Sequence, residues 1–317
     1  MDSLLALIFE PGFFTNEPVR TAMAVGGGAA LVSGVIGVFT VMRGQSFAGH
    51  ALADVSSAGG AASFLLGINP LFGFLAMAVL AAGGMELVRV RRARERDLVT
   101  GVVLGAGLGF AALFLYFDVT SKSTTGAAIT IMFGSMFAIP ASIIPLAIAI
   151  AIAIAIAIAI AIAIGIGALI AIAVLYRPLL ISSLDPELAA VRGVRVRLTG
   201  LLHLLALALA VSLSAITVGA ILSTALLIGP AAIALRMAKR AGRAVALAAL
   251  IGIGTTWGGI LLAYDSYYWT PGHGWPVSFF VVTLIFMLYV ITGHIGRNGA
   301  RITGARIALE TDHPGEV

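Results

Sequence analysis

The sequence predicts an all-α fold: a polytopic transmembrane helical bundle of eight or nine spans. Three observations predict it. Hydrophobic residues make up 60% of the chain and charged ones 10%, with a mean hydropathy of +1.10, far too few charges to keep a soluble domain dispersed. Apolar runs long enough to cross a bilayer, about 20 residues each, recur from Thr21 to Thr292. The Arg and Lys residues gather in short stretches between those runs.

In chain order the spans fall near Thr21–Met42, Gly49–Leu66, Phe72–Val88, Leu98–Phe117, Pro140–Leu175, Thr199–Ala215, Gly219–Leu235, Ala244–Ala263 and Val277–Thr292. Thr125–Phe137 is apolar but short, as a re-entrant or interfacial segment would be. Within Ala147–Ile164 the chain alternates Ala and Ile with period 2, which in water would read as a strand. A lone strand in hydrocarbon leaves its backbone donors and acceptors unpaired, at several kcal/mol each, so helix is the expectation here too. Wrapped on a helix, Ile and Ala reach every face, and no chemistry is assigned to the repeat. The run Gly26–Gly28 and the small residues of the second span suit close helix packing.

Positive charge sets the sidedness. "RVRRARER" at Arg89–Arg96 belongs in the cytoplasm, with Tyr176–Arg197, Arg236–Arg243 and the tail from Arg297 on the same side. The stretches Asp118–Thr125 and Tyr264–Trp275 carry little or no positive charge and read as external, the latter with tyrosines and tryptophans suited to an interfacial belt. Alternation places the N-terminus outside.

Several function classes are excluded or disfavoured. The net charge of +5 comes without aromatic interleaving, so nucleic acid is not an expected partner; lipid is. With no Cys there is neither disulfide nor thiolate chemistry. Met1–Pro18 is acidic and lacks the pattern of a cleavable signal, which leaves targeting to the first span. No G-x-x-x-x-G-K-[ST], H-E-x-x-H or G-x-S-x-G motif is present.

"SFAGHALAD" (Ser46–Asp54) places His50 and Asp54 four residues apart in a span. On a helix the two share one face with Cβ atoms about 5–6 Å apart. An imidazole and a carboxylate suit a borderline divalent cation such as zinc, manganese or iron(II). Two donors do not close a site, so further donors would come from other helices, a second copy of the chain or water. An incomplete site is what a conduit needs, since an ion held too tightly does not leave. A structural contact in which Asp54 orients His50, and a proton relay, remain open as alternatives. His203 reads as a core or interfacial residue, His273 as a loop residue, and His294 and His313 as tail residues.

"DPELAAVRGVRV" opens with a helix-start signal: Asp185 to cap, Pro186 at the first helical position, and Glu187 in the first turn. Gly193 is placed to end that helix in a left-handed conformation. A short capped helix between two spans on the positive side would serve as a docking knob or as an ordinary connector.

"VMRGQSFAGHALAD" (Val41–Asp54), "GAAITIMFGSMFAIP" (Gly126–Pro140), "LDPELAAVRGV" (Leu184–Val194) and "VGAILSTALLIGPAAIA" (Val218–Ala234) occur in the order found in a known family. From Thr21 to Thr292 the chain resembles the integral-membrane permeases of ABC importers for zinc, manganese and iron, the metal-ion ABC-3 permease family. The resemblance implies a multi-pass protein of the cytoplasmic membrane that pairs with a second permease copy. It also implies separate ATPase subunits holding the ATP, and an extracytoplasmic metal-binding protein. The permease itself would be no enzyme and would bind no cofactor, the divalent metal being its cargo. The family's conduit ligands are an Asp followed four residues later by a His; the matching positions here hold His50 and Asp54, in reversed order. Asp185–Gly193 matches the coupling helix that seats in the ATPase, giving roles there to Asp185, Pro186, Glu187 and Gly193. The implied organisation is an external segment over 1–20, a permease domain over 21–293 with the coupling loop at 176–198, and a cytoplasmic tail over 294–317. Two other functions compete. A gradient-driven transporter or channel would account for His50 and Asp54 but leaves the capped loop helix unexplained, and a non-transporting assembly protein would show no metal-dependent phenotype.

Overall fold

The computed structural model describes residues 13–87, 93–122, 126–133, 170, 173–176, 178–180, 182, 191, 193, 195–269 and 274–311. Among them the ordered elements are α1 (Glu17–Met42), α2 (Ser46–Leu66), α3 (Pro70–Leu87), α4 (Ala93–Lys122), α5 (Gly126–Phe133), α6 (Val196–Val218), α7 (Ala220–Met237), α8 (Ala241–Trp269) and α9 (Val277–Thr311). The fold is all-helical, as expected.

Local sequence explains most of the boundaries. α1 begins with Glu17 and Pro18, where a missing backbone N–H costs nothing. It ends at Arg43, and Gly44 takes φ +63 to turn the chain straight into α2. α2 stops at Gly67, which is left-handed (φ 72), and the following N–H of Ile68 bonds back to the Ser63 carbonyl at 3.0 Å, capping the last turn. α7 carries Pro230 in its interior.

Among the described residues, five stretches are long and apolar enough to cross a membrane: Pro18–Met42, Asp97–Ser121, Leu198–Ala215, Ala241–Trp269 and Val277–His294. Phe72–Glu86 and Leu222–Met237 are shorter apolar helices. α2 is less apolar than these because it carries His50, Asp54 and a run of Ser and Gly, and thirteen of its residues are buried inside the bundle. Protein rather than lipid surrounds it, so polar side chains are tolerated there. α5, described over 8 residues, lies within the apolar segment Thr125–Phe137. The expected span Pro140–Leu175 falls almost wholly outside the described residues.

α2 packs against α1, α3, α4, α5, α6 and α7, and α7 against α1, α2, α5, α6, α8 and α9. These two helices form the middle of the bundle. α4 and α9 lie at its edge, with Leu98, Val102, Phe110 and Tyr116 on one and Phe286, Met287 and Ile291 on the other exposed as lipid-facing residues are. Close approaches depend on absent side chains. A Cβ on Gly59 would overlap the Gly73 carbonyl oxygen, and one on Gly73 would overlap that of Gly59, so α2 and α3 touch backbone to backbone.

The first parts of two stretches read as external loops, Asp118–Thr125 and Tyr264–Trp275, are helical. α4 continues through Asp118 to Lys122, and α8 through Tyr264 to Trp269. Asp118, Asp265 and Ser266 are buried. Loss of apolar character at a membrane boundary does not end a helix, because its backbone bonds are internal in water and lipid alike. In the same way α9 runs unbroken past residue 293, where the sequence marks off a tail.

Candidate functional site

His50 and Asp54 lie in the first half of α2, one turn apart, so the helix directs both to one side. His50 Nε2 and Asp54 Oδ2 are 3.5 Å apart. The side chains are 45% and 14% exposed, so the pair reaches the surface of the single chain, His50 more than Asp54. Phe47, His50 and Asp54 fall on one stripe of a helix that is otherwise largely buried over this stretch.

The separation is long for a charge-assisted N–H···O bond, which closes to about 2.7–2.9 Å. It is close to the roughly 3.4 Å expected between two donors that each lie about 2.1 Å from one tetrahedrally coordinated ion. Asp54 is held from behind, since Ser57 Oγ donates to its backbone carbonyl at 2.6 Å.

A third residue completes the arrangement. Thr224 Oγ1, on α7, lies 3.1 Å from His50 Nδ1, so the imidazole has one oxygen neighbour at each ring nitrogen. Sequence reasoning missed Thr224. The available signal was the hydroxyl pair Ser223–Thr224 within the largely apolar motif Val218–Ala234. Among the described residues no group of three or more His, Cys, Asp or Glu forms, so one chain supplies two donors of that kind.

The other histidines stand apart. His203 is fully buried, with Nε2 3.4 Å from Thr40 Oγ1, while Thr40 donates to the Ile36 carbonyl at 3.0 Å. It is a core residue. His294 is exposed, its Nδ1 3.0 Å from the Val290 carbonyl oxygen. His273 and His313 lie outside the described residues, as do Asp185, Pro186 and Glu187 of the coupling loop. Gly193 is described, exposed and at φ +78, the left-handed conformation its position calls for.

At the C-terminal end of α1, Arg43 donates from Nε to Gln45 Oε1 at 3.3 Å and from Nη1 to Ser182 Oγ at 3.0 Å. Tyr176 meets Phe39 edge-on, with ring centroids 5.7 Å apart. These contacts seat Tyr176 and Ser182 against the end of α1.

With this geometry in hand, three comparisons are informative. The model of the ABC 3 transport family matches residues 15–293. The manganese transport system membrane protein MntC of Listeria innocua serovar 6a is 30% identical over 276 residues, covering 87% of this chain and 89% of that protein. The chelated iron transport system membrane protein YfeD of Yersinia pestis is 25% identical over 298 residues, covering 93% and 91%. Among solved structures, PsaBC from Streptococcus pneumoniae in complex with Fab has a chain that superposes with a TM-score of 0.72 at 22% identity, covering 91% of this chain and 95% of that one. This last match concerns the fold, and it is the same fold. Apolar helices and relatives together make the protein a multi-pass membrane protein, and it belongs to the ABC 3 transport family.

Proposed function

We infer that this chain is the membrane permease subunit of an ATP-driven importer for a divalent transition-metal ion, with manganese, iron and zinc as the candidate cargoes. The observation that carries the inference to a site is the 3.5 Å separation of His50 Nε2 and Asp54 Oδ2 on the part of α2 that meets α7 at Thr224. The relatives named above support manganese and iron as the first ions to test.

In this reading an ion released by an extracytoplasmic metal-binding protein meets the imidazole and carboxylate, which replace part of its water shell. A second copy of the chain would present the same pair across a two-fold axis, raising the donors from two to four. Two carboxylates then offset the charge of one divalent ion, while the small donor number per chain keeps binding weak enough for release. ATP is hydrolysed on separate subunits that dock on the loop 176–198, where Asp185, Pro186, Glu187 and Gly193 form the contact. The permease needs no cofactor of its own and no enzymatic step; it needs only to alternate between two helix arrangements.

The test is uptake of manganese, zinc and iron(II) per assembled complex in vesicles. His50→Ala removes the imidazole donor, and Asp54→Asn removes the charge while keeping the shape. Both variants are expected to insert and assemble with the ATPase and to lose most uptake. Wild-type uptake of all three ions by the double variant would remove the pair from the path. Uptake by the purified chain without ATP would instead favour a gradient-driven transporter.

A further inference from the structure

A metal-binding imidazole has a choice to make about its proton. In the neutral ring one nitrogen carries hydrogen and the other a lone pair, and only the lone-pair nitrogen can bind a cation. His50 has two chemically different oxygens beside it: the Asp54 carboxylate, 3.5 Å from Nε2, and the Thr224 hydroxyl, 3.1 Å from Nδ1.

If the proton sits on Nε2, it points at the carboxylate. His50 and Asp54 then satisfy each other, and neither presents a free donor pair to an incoming ion. If it sits on Nδ1, the Nε2 lone pair and the carboxylate face the same point together. The second arrangement leaves an N–H at Nδ1, and an acceptor fixed beside it would hold the ring in that orientation. Thr224 Oγ1 is at hydrogen-bond distance from that nitrogen. It comes from a different helix, 174 residues away in sequence, so the pairing is a property of the α2–α7 seam and not of the local motif.

We propose that Thr224 is a positioning residue for metal passage: its hydroxyl accepts the Nδ1–H of His50, holding the ring so that Nε2 and the Asp54 carboxylate together bind a divalent cation. This rests on the reading of His50 and Asp54 as donors and deepens it. Removing the hydroxyl leaves the ring beside Asp54 and favours the closed pair, so the site weakens without losing a single donor.

The test uses the permease with its ATPase in nanodiscs, with no metal-binding protein present and manganese(II) chloride as the probe. Binding is read from loss of the free-ion electron paramagnetic resonance signal. Thr224→Val keeps the shape and removes the hydroxyl; Thr224→Ser keeps the hydroxyl. Thr224→Val is expected to weaken manganese binding by about 10- to 100-fold, the usual cost of losing a partner behind a metal-binding histidine, and Thr224→Ser to stay near wild type. Wild-type affinity in Thr224→Val, beside a His50→Ala variant that has lost binding, would overturn the proposal and leave the site standing. Equal loss in Thr224→Ser and Thr224→Val would overturn it too, since the hydroxyl would then not be the cause. Undiminished binding in His50→Ala would bring down the site and this proposal together.

Discussion

Arg43 reaches across 139 positions of sequence to donate a hydrogen bond from Nη1 to Ser182 Oγ at 3.0 Å. One end of that bond lies in the turn that leads into the helix of His50, and the other in the stretch 176–198 that the sequence reads as a cytoplasmic loop. His50 is seven residues along from Arg43, about 10 Å at helical rise. Ser182→Ala is expected to lower the thermal stability of the complex by about 1 kcal/mol, and Arg43→Ala by more, because a guanidinium makes stronger bonds and covers more surface. If the link also transmits loop movement to α2, both variants will hydrolyse more ATP per ion imported. An unchanged ratio with reduced stability would make the link purely structural.

Packing at the α2–α3 crossing should be intolerant of any side chain. Gly59→Ala and Gly73→Ala each force a Cβ into a facing backbone carbonyl, and each is expected to cost about 1–3 kcal/mol, or to prevent assembly. Gly28→Ala is the control: nothing lies within 4 Å of a Cβ there, and helix propensity favours alanine by about 1 kcal/mol. Melting temperatures of the detergent-purified complex would separate the two outcomes.

Sidedness can be read by cysteine labelling in a chain that has no cysteine of its own. A cysteine at Arg92 is expected to react only from the cytoplasm and one at Gly274, an exposed residue, only from outside. Ser266 should not label from either side, because it is fully buried and its Oγ accepts the backbone N–H of Trp275 at 2.9 Å. Reaction of the Arg92 and Gly274 probes from one side would overturn the topology.

The reversed order of imidazole and carboxylate makes a fourth prediction. The double variant His50→Asp with Asp54→His keeps the donor set but moves the longer, nitrogen-bearing side chain one turn along α2. It also takes the imidazole away from the Thr224 hydroxyl. Import should persist with a changed ranking among manganese, zinc and iron(II), measured as uptake per assembled complex. Complete loss would mean that the order is required for passage itself.

Much of this was legible in the sequence, for a physical reason. Hydropathy over about 20 residues and the i,i+4 relation of His50 to Asp54 are local properties, and a helix converts them directly into spans and a shared face. Gly193 in a left-handed conformation was readable on the same grounds. Thr224 was not, because its role depends on α7 lying against α2, a tertiary fact that no local spacing encodes. The ends of α4 and α8 were misplaced because side-chain polarity was taken to end the helix, whereas the backbone bonds carry on through Asp118 and Asp265. The link from Arg43 to Ser182 was hidden by the same distance in sequence that hid Thr224.

Pro230 has no N–H to give, so the carbonyl four residues before it, that of Leu226, receives no bond from it along the helix. Just beyond the other end of this stretch stands Gly219, at φ +95. The ten residues between, Ala220 to Gly229, hang between two weak joints, with Thr224 near their middle. Beyond Pro230 the helix is clamped, because Arg236 lies over the Tyr289 ring at 3.8 Å and also bonds its hydroxyl. The two backbone irregularities of α7 thus bracket the half that touches the imidazole. A tilt of one short rod, about 15 Å long, would let go of His50 without lifting the rest of the helix or disturbing the lipid-facing helices around it.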